Sequence, residues 1–516
     1  MLPPFSPEPY VDFNRDEPRR KMVAALNEVK AQLGKSYPLW IDGQSLSPSE
    51  TFTSVSPANP DLVIGIMAKA NVDLADRAVR TAAEAFKSWS RFEPDARARI
   101  LIKAAAIMRR RVYELSAWMC FEESKAWIEA YADACEAIDF LDFYGREMMR
   151  LGGARSVTPF DGEENEVRYM PLGVGVVIPP WNFPLAIAAG MTTAALVTGN
   201  TVVLKPASTS PVVAAKFVEI MHEAGLPRNV LNFLPGPGGS VGDALVCHPL
   251  TRFISFTGSR EVGTGIFAKA AQVQEGQIWL KRTVLEMGGK NCIVADETAD
   301  VAAVAEGAVA AAFGFQGQKC SACSRLIVHA DIYDDVLERV VARARELTVG
   351  DTTGKENLSM GAVIDSSAHK KINDYIKIGK GEGRAVLADG KIPDKGYFVP
   401  PTIIADVDAN ARIAQEEIFG PVLAVIKVKD FDEGLAVANG TEYGLTGALY
   451  SNDRLRLERA RHEFHVGNLY LNRKCTGALV DVQPFGGFNM SGTDSKAGGR
   501  DYLPLFMQAK TICEKW

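Results

Sequence analysis

From Gly173 onward the chain alternates short apolar runs with helix-length runs, and this alternation restricts the possible folds more than any other feature. Residues 174–178, 201–204, 230–233 and 253–256 read as strands that are apolar throughout. Between and after them, 185–197, 212–224 (closed by Gly225), 241–247 and 262–271 read as helices. Strands with no polar face need helices on both sides, so the series predicts a doubly wound parallel sheet of the nucleotide-binding kind. A second series begins near Asn291, with strand 292–294, helix 301–313, a loop carrying Cys320, strand 326–328 and helix 333–347. It predicts a second α/β domain, and Glu286 falls at the junction of the two, where ligand clefts form.

Outside these series the pattern changes. Pro38 to Gly43 reads as a strand entering an Asp-Gly turn, and 72–149 reads as packing helices, with Ala82, Ala85 and Phe86 on one face. The acidic stretch 156–170 ends in alternation and predicts a hairpin protruding from the body. A chain of 516 residues is too long for one core.

A net charge of −6 and the lack of a long basic run argue against nucleic acid or an anionic membrane as partner. The first residues, Met1 to Pro7, have no basic region leading into an apolar stretch, and the longest apolar run, 185–197, is broken by Gly190, Thr192 and Thr193. A cytoplasmic protein is expected. Eight cysteines lie scattered without framework spacing, which suits reduced thiols.

The chemistry centres on Phe315-Gln316-Gly317-Gln318-Lys319-Cys320-Ser321, with Glu286 34 positions upstream of the thiol. An ordinary thiol of pKa ~8.5 is about 3% ionised at neutral pH, so a nucleophilic cysteine needs help, and the glycine turn beside Lys319 is expected to supply it. For a dinucleotide, the usual glycine fingerprint is missing: Gly236-Pro237-Gly238-Gly239-Ser240-Val241 lacks its third glycine, and Gly173-x-Gly175 precedes its strand. Ser255 to Gly263 is better placed, running from a strand straight into a helix whose free N–H groups suit a pyrophosphate. There Gly258 would permit close approach and Ser259 would add a hydroxyl, while Lys205, ending the second strand, would face a ribose.

Six ordered motifs then resemble those of the aldehyde dehydrogenase superfamily: Pro180-Trp181-Asn182-Phe183-Pro184, Lys205-Pro206, Phe256-Thr257-Gly258-Ser259, Leu285-Glu286-Met287-Gly288-Gly289-Lys290, Gly317-Gln318-Lys319-Cys320 and Glu416-Glu417-Ile418-Phe419-Gly420-Pro421-Val422. Within it, the Cys320 motif, Phe464 to Tyr470 and Thr476-Gly477-Ala478 are similar to the 1-pyrroline-5-carboxylate dehydrogenase subfamily. The resemblance implies an α/β fold with a Rossmann-type cofactor domain (1–155 and 171–288), an α/β catalytic domain (289–466), a substrate-anchoring and return segment (467–494) and β oligomerisation elements (156–170 and 495–516). It implies oxidation of L-glutamate γ-semialdehyde to L-glutamate in proline breakdown, with Cys320 as nucleophile, Glu286 as base and Asn182 in an oxyanion hole.

By the same resemblance Trp181, Lys205, Ser208, Gly258, Ser259, Gly288, Glu417 and Phe419 would bind the cofactor. That cofactor is NAD, with NADP left open because Ser208 stands where many NAD-specific members carry Glu. Ser321, Gly477 and Ala478 would anchor the substrate carboxylate, Phe183 and Phe485 flank its aliphatic part and Glu136 face its ammonium. The hairpin and the tail from Tyr502 to Trp516 would pair across subunits, making a homo-oligomer that is at least a dimer, with a hexamer open.

Other readings compete. Cys320-Ser321-Ala322-Cys323 is also a C-x-x-C, but a zinc site would need two further ligands and His462-x-x-His465 is the only close histidine pair, so no metal is expected. A dehydrogenase of another semialdehyde stays open. Glu286 counts against an acyl-CoA-forming member, and the intact Cys, Glu and Asn count against an inactive binding protein on this fold.

Overall fold

The computed structural model describes residues 3–516. In a seven-stranded sheet, strand Val174–Ile178 has Thr201–Leu204 and Leu231–Phe233 on one side and Thr251–Thr257 and Arg282–Glu286 on the other, all parallel. The chain therefore reverses its direction of travel between Val174–Ile178 and Thr251–Thr257. Ligands bind outside the carboxyl ends of strands at such a switch point, and Trp181, Asn182, Lys205 and Gly258 all follow strand ends there. Leu39–Ile41 and Gln44–Leu46, turning at Asp42 and Gly43, extend the far edge in antiparallel register.

A second seven-stranded sheet is built on Cys292–Ala295, Arg325–His329, Thr402–Ala405, Val422–Val428, Thr446–Tyr450 and Asn468–Leu471, with Arg384–Leu387 antiparallel at one edge. It extends to Leu471, so the expected boundary at 466 cuts off an edge strand that pairs in register with Thr446–Tyr450. Beyond it, residues 485–497 return to the first sheet, where Thr493 and Leu285 exchange backbone and side-chain hydrogen bonds at 3.0 Å.

The expectation for the hairpin and tail needs two corrections. Strand Met507–Lys515 pairs with Glu163–Pro171 within one chain, residue for residue from Met507 opposite Pro171 to Lys515 opposite Glu163. The strand Glu163–Pro171 thus takes its tail strand from its own chain, and Met507–Lys515 keeps its outer edge open. In addition, Tyr502, Leu503 and Phe506 are buried in the main core, so only the last strand of 495–516 leaves the body.

Four helices, Val72–Trp89, Pro94–Arg110, Val112–Glu122 and Trp127–Leu151, flank the first sheet. The long Trp127–Leu151 helix matters most for the site, because Glu129, Glu136, Phe140 and Tyr144 recur on one of its faces. Among the described residues no helix is long and apolar enough to cross a membrane.

Candidate active site

Cys320 owes its position to an abrupt helix end. Helix Val301–Phe313, capped by the Asp300 carboxylate on the Ala302 and Ala303 N–H groups, stops at Gly314, and Phe315, Gln316 and Gly317 then take left-handed backbone angles. At Gly317 only glycine fits: φ is +66°, and a Cβ would sit 2.4 Å from the Gly420 carbonyl oxygen. The strained pair before it is held by Gln316, whose Nε2 donates to the carbonyls of Ala362 (2.8 Å) and Ser124 (3.2 Å). The loop then passes Asn291, whose Nδ2 donates to the Cys320 carbonyl at 2.6 Å and the Ala322 carbonyl at 3.0 Å, while its Oδ1 accepts the Thr446 N–H at 2.9 Å. Asn291 was not anticipated; nothing near it in sequence announces partners so far along the chain.

Cys320, Glu286, Ser321, Gly477, Ala478, Phe183, Phe485 and Glu136 line one cavity of about 140 Å³. Its size suits a small molecule. Asn182 lies buried alongside, its Nδ2 donating to the Gln318 carbonyl at 3.0 Å, two residues before the thiol. One amide hydrogen of Asn182 is therefore engaged and the other is free to donate.

The electrostatics differ from expectation at Lys319. Its ammonium does not serve the thiol but pairs with Glu129 at 2.6 Å. Burial, the largest single effect, would raise the Glu129 carboxyl; the Lys319 charge and hydrogen bond, joined by the charges of Lys125 and Lys474, together hold it below its ordinary value. Cys320, by contrast, is pushed up to about 12, first by burial and then by the carboxyls of Glu286 and Glu417. In this state the thiol is neutral, and a base must take its proton before it can attack.

Glu286 is itself raised to about 8, chiefly by burial, with the Ser495 hydroxyl and the Lys496 ammonium pulling the other way. Its Oε1 accepts from Ser495 Oγ at 2.5 Å, and its buried Oε2 has no partner. A cavity-lining carboxyl poised near neutrality, with one oxygen unpartnered, can exchange a proton with a thiol or a water. Glu136 is likewise raised to about 8, by burial and then by Asp133.

Beneath the cavity the Lys125 ammonium and the Asp133 carboxylate form a fully buried pair at 2.5 Å. Asp133 also accepts the Ala186 N–H at 2.7 Å, and Lys125 lies over the rings of Phe183 (4.2 Å) and Phe315 (4.6 Å). This pair joins the Asn182 loop to the Cys320 loop, and it too was missed.

The residues expected to hold the cofactor fall into two places. Lys205 lines a surface groove with Gly238, Gly239, Asp243 and Glu261; its buried ammonium donates to the Pro206 carbonyl at 3.3 Å, and burial lowers it to about 8. A buried lysine so poorly partnered fits a ribose diol. Gly258 and Ser259 follow strand Thr251–Thr257, and Ser259 Oγ accepts the Val262 N–H at 3.3 Å, capping helix Arg260–Ala270. Ser208 is exposed in a turn after Lys205 and is not among the groove-lining residues.

Nearer the thiol, Glu417 Oε1 accepts the Gly289 N–H at 2.9 Å. Gly288 makes room for that carboxylate, since a Cβ there would lie 2.3 Å from Oε2. Trp181 packs edge-on to Phe419 at 5.5 Å and to Phe315 at 6.4 Å. Among the described residues no group of three or more His, Cys, Asp or Glu side chains is arranged to hold a metal ion.

The aldehyde dehydrogenase family profile matches residues 40–512. The chain is 59% identical to 1-pyrroline-5-carboxylate dehydrogenase of Geobacillus thermodenitrificans and 55% identical to that of Bacillus cereus, each covering all of both chains. Its fold is similar to that of a 1-pyrroline-5-carboxylate dehydrogenase from Thermus solved with bound NAD, at a TM-score of 0.98 and 51% identity over the full length of both. With a family profile spanning most of the chain and full-length relatives above half identity, the protein belongs to the aldehyde dehydrogenase family.

Proposed function

We propose that this protein oxidises L-glutamate γ-semialdehyde, in equilibrium with 1-pyrroline-5-carboxylate, to L-glutamate in proline breakdown, using NAD. The observation that carries the reading is the joining, in one cavity, of a thiol, a carboxyl poised near neutrality and the Ser321/Gly477/Ala478 wall. Full-length relatives bearing that enzyme's name support the substrate.

Ionised Glu286 takes the Cys320 proton, and the thiolate adds to the aldehyde carbon. The resulting alkoxide is held by the free Asn182 amide hydrogen and the Cys320 N–H. When bound, NAD supplies the hydride acceptor that turns the thiohemiacetal into a thioester. Lys205, Gly258 and Ser259 would hold its adenosine and phosphates, while Glu417, Phe419, Trp181 and Gly288 would hold its nicotinamide end. Once Glu286 has passed the thiol's proton to solvent, it removes a proton from water as that water opens the thioester, releasing the acid and the Cys320 thiolate. Ser321 and the backbone of Gly477 and Ala478 donate to the α-carboxylate, Phe183 and Phe485 flank the methylenes, and Glu136 meets the ammonium. Ser208 places no carboxylate against a 2′-phosphate, so NADP is accepted beside NAD.

Eight unpaired cysteines fit a reducing cytoplasm. The protein acts as a homo-oligomer, since Phe160 and Trp516 on the protruding sheet are 68% and 75% exposed in a single chain. The test is a panel of glutamate, succinic and acetic aldehydes with either dinucleotide, followed by reduced-nicotinamide absorbance, on wild type and Cys320→Ala. Glutamate semialdehyde is expected to be preferred, and the variant to bind NAD normally without turnover. Variant turnover within about tenfold of wild type would exclude Cys320 as nucleophile.

A further inference from the structure

Residues 3–15 form neither helix nor strand before the first helix begins at Asp16, yet they are firmly held along one face of helix Trp127–Leu151. Phe5 packs on Phe143 at 5.3 Å, and Phe13 packs edge-on to Trp127 and Tyr131 at 5.6 and 5.8 Å. Between these anchors the Glu8 N–H donates to Asp139 Oδ1 at 2.9 Å, and Arg109 grips Glu8 Oε1 through Nε and an Nη at 2.9 and 2.7 Å. The anchor positions 127, 131, 139 and 143 follow the four-residue repeat of one helical stripe, and the neighbouring stripe, Glu129, Glu136, Phe140 and Tyr144, faces the cavity.

One residue of this arm reaches the cavity. Tyr10 lines it while staying 51% exposed, unlike Phe140, Tyr144 and Tyr502 on the same wall, which are almost fully buried. It therefore stands at the mouth. Tyr10 follows Glu8, whose N–H is held by Asp139, and precedes Phe13, which is seated on Trp127 and Tyr131, so it enters the cavity from the side of helix Trp127–Leu151, where Glu129 and Glu136 line the wall.

We propose that Tyr10 is a specificity-determining residue, which closes the amino-acid end of the cavity over the α-ammonium and α-carboxylate of the bound aldehyde. The inference rests on the substrate reading above. An aldehyde lacking those groups ends short of the mouth and gains nothing from Tyr10; an amino-acid aldehyde reaches it, and the ring keeps water off its charged end while the hydroxyl donates to the Glu136 carboxylate or to the substrate carboxylate. Because Tyr10 touches no reacting atom, its effect falls on KM rather than kcat.

The test compares wild type, Tyr10→Phe and Tyr10→Ala with glutamate semialdehyde, the same semialdehyde lacking its amino group, and propanal. Tyr10→Ala is expected to raise KM for glutamate semialdehyde by about tenfold, the loss of a hydrogen bond to a charged group plus its cover, with kcat and propanal kinetics unchanged. Tyr10→Phe keeps the ring and shows part of that rise. Unchanged KM in both variants overturns the proposal, as does an equal loss for all three aldehydes, which would make the arm merely structural. If Tyr10→Ala does not fold, Tyr10→Phe alone decides by the same comparison. Failure of the substrate reading is seen separately, as wild type that does not prefer glutamate semialdehyde.

Discussion

In the proposed mechanism Glu286 faces two demands that pull apart: it must be ionised to take a proton, yet the dry cavity that would protect a thioester favours its neutral form. Burial wins in part, leaving it near 8. A raised carboxyl is protonated below that value, so the hydrolytic step should speed up as pH rises and level off above about 8. Glu286→Gln should abolish this rising limb and slow thioester opening by about two to four orders of magnitude. Because the variant also loses the base that ionises Cys320, rapid-mixing absorbance should show the first turnover of reduced cofactor slowed together with the steady state. Normal turnover with the pH limb intact would remove Glu286 from the base role. Asn291 acts at one remove, by fixing the Cys320 and Ala322 carbonyls. Asn291→Ala strands both of them and the Thr446 N–H, each at about 1–3 kcal/mol if it stays dry. Asn291→Asp keeps the acceptor for Thr446 but loses both donated bonds, so its kcat should fall nearly as far as that of Asn291→Ala, with dinucleotide affinity retained in both. Wild-type kcat in the Asp variant would show that the donated bonds do not set the thiol's position.

At the scale of elements, helix Trp127–Leu151 and the two left-handed residues before Gly317 are tied together through Lys125, which pairs with Asp133 and covers Phe183 and Phe315. Lys125→Met leaves the Asp133 carboxylate buried without its cation. A loss of about 3–5 kcal/mol is expected in denaturant unfolding, because a broken buried pair costs far more than the intact pair contributes. A loss under about 1 kcal/mol would mean that water reaches Asp133. This pair also shows where reading the chain stops. Cys320, Glu286 and the strand-helix alternation were legible because residue type, order and periodicity are local properties. Lys125 and Asp133 gave no such sign: charged residues in a helical stretch normally face water, and only the packing of Phe183 and Phe315 onto them buries the pair. Ser495 reaches Glu286 across 209 positions, and the tail strand finds Glu163–Pro171 across most of the chain. Such contacts depend on how the sheets are assembled, which no local pattern encodes.

For the whole molecule, the strand Met507–Lys515 is the outer edge of a three-stranded sheet, with nine residues and one row of backbone groups unpaired within the chain. A long, open edge is a pairing surface unless something covers it. Apolar exposure points the same way: Ile278 and Leu280, beside the first sheet's outer strand, are 85% and 77% exposed, and Phe267 on the adjoining helix is 56% exposed. Leaving so much apolar surface in water is costly at about 25 cal/mol per Å², and a second copy of the chain is the simplest cover. Light scattering at micromolar concentration should therefore report at least a dimer. Removing residues 508–516 takes away the edge strand but spares Phe506 and Met507, which belong to the core. The shortened chain should keep cooperative unfolding and lose assembly size. A wild-type monomer would overturn the assembly outright, whereas a shortened chain that keeps its full mass would move the contact from the sheet edge to the surface around Phe267, Ile278 and Leu280.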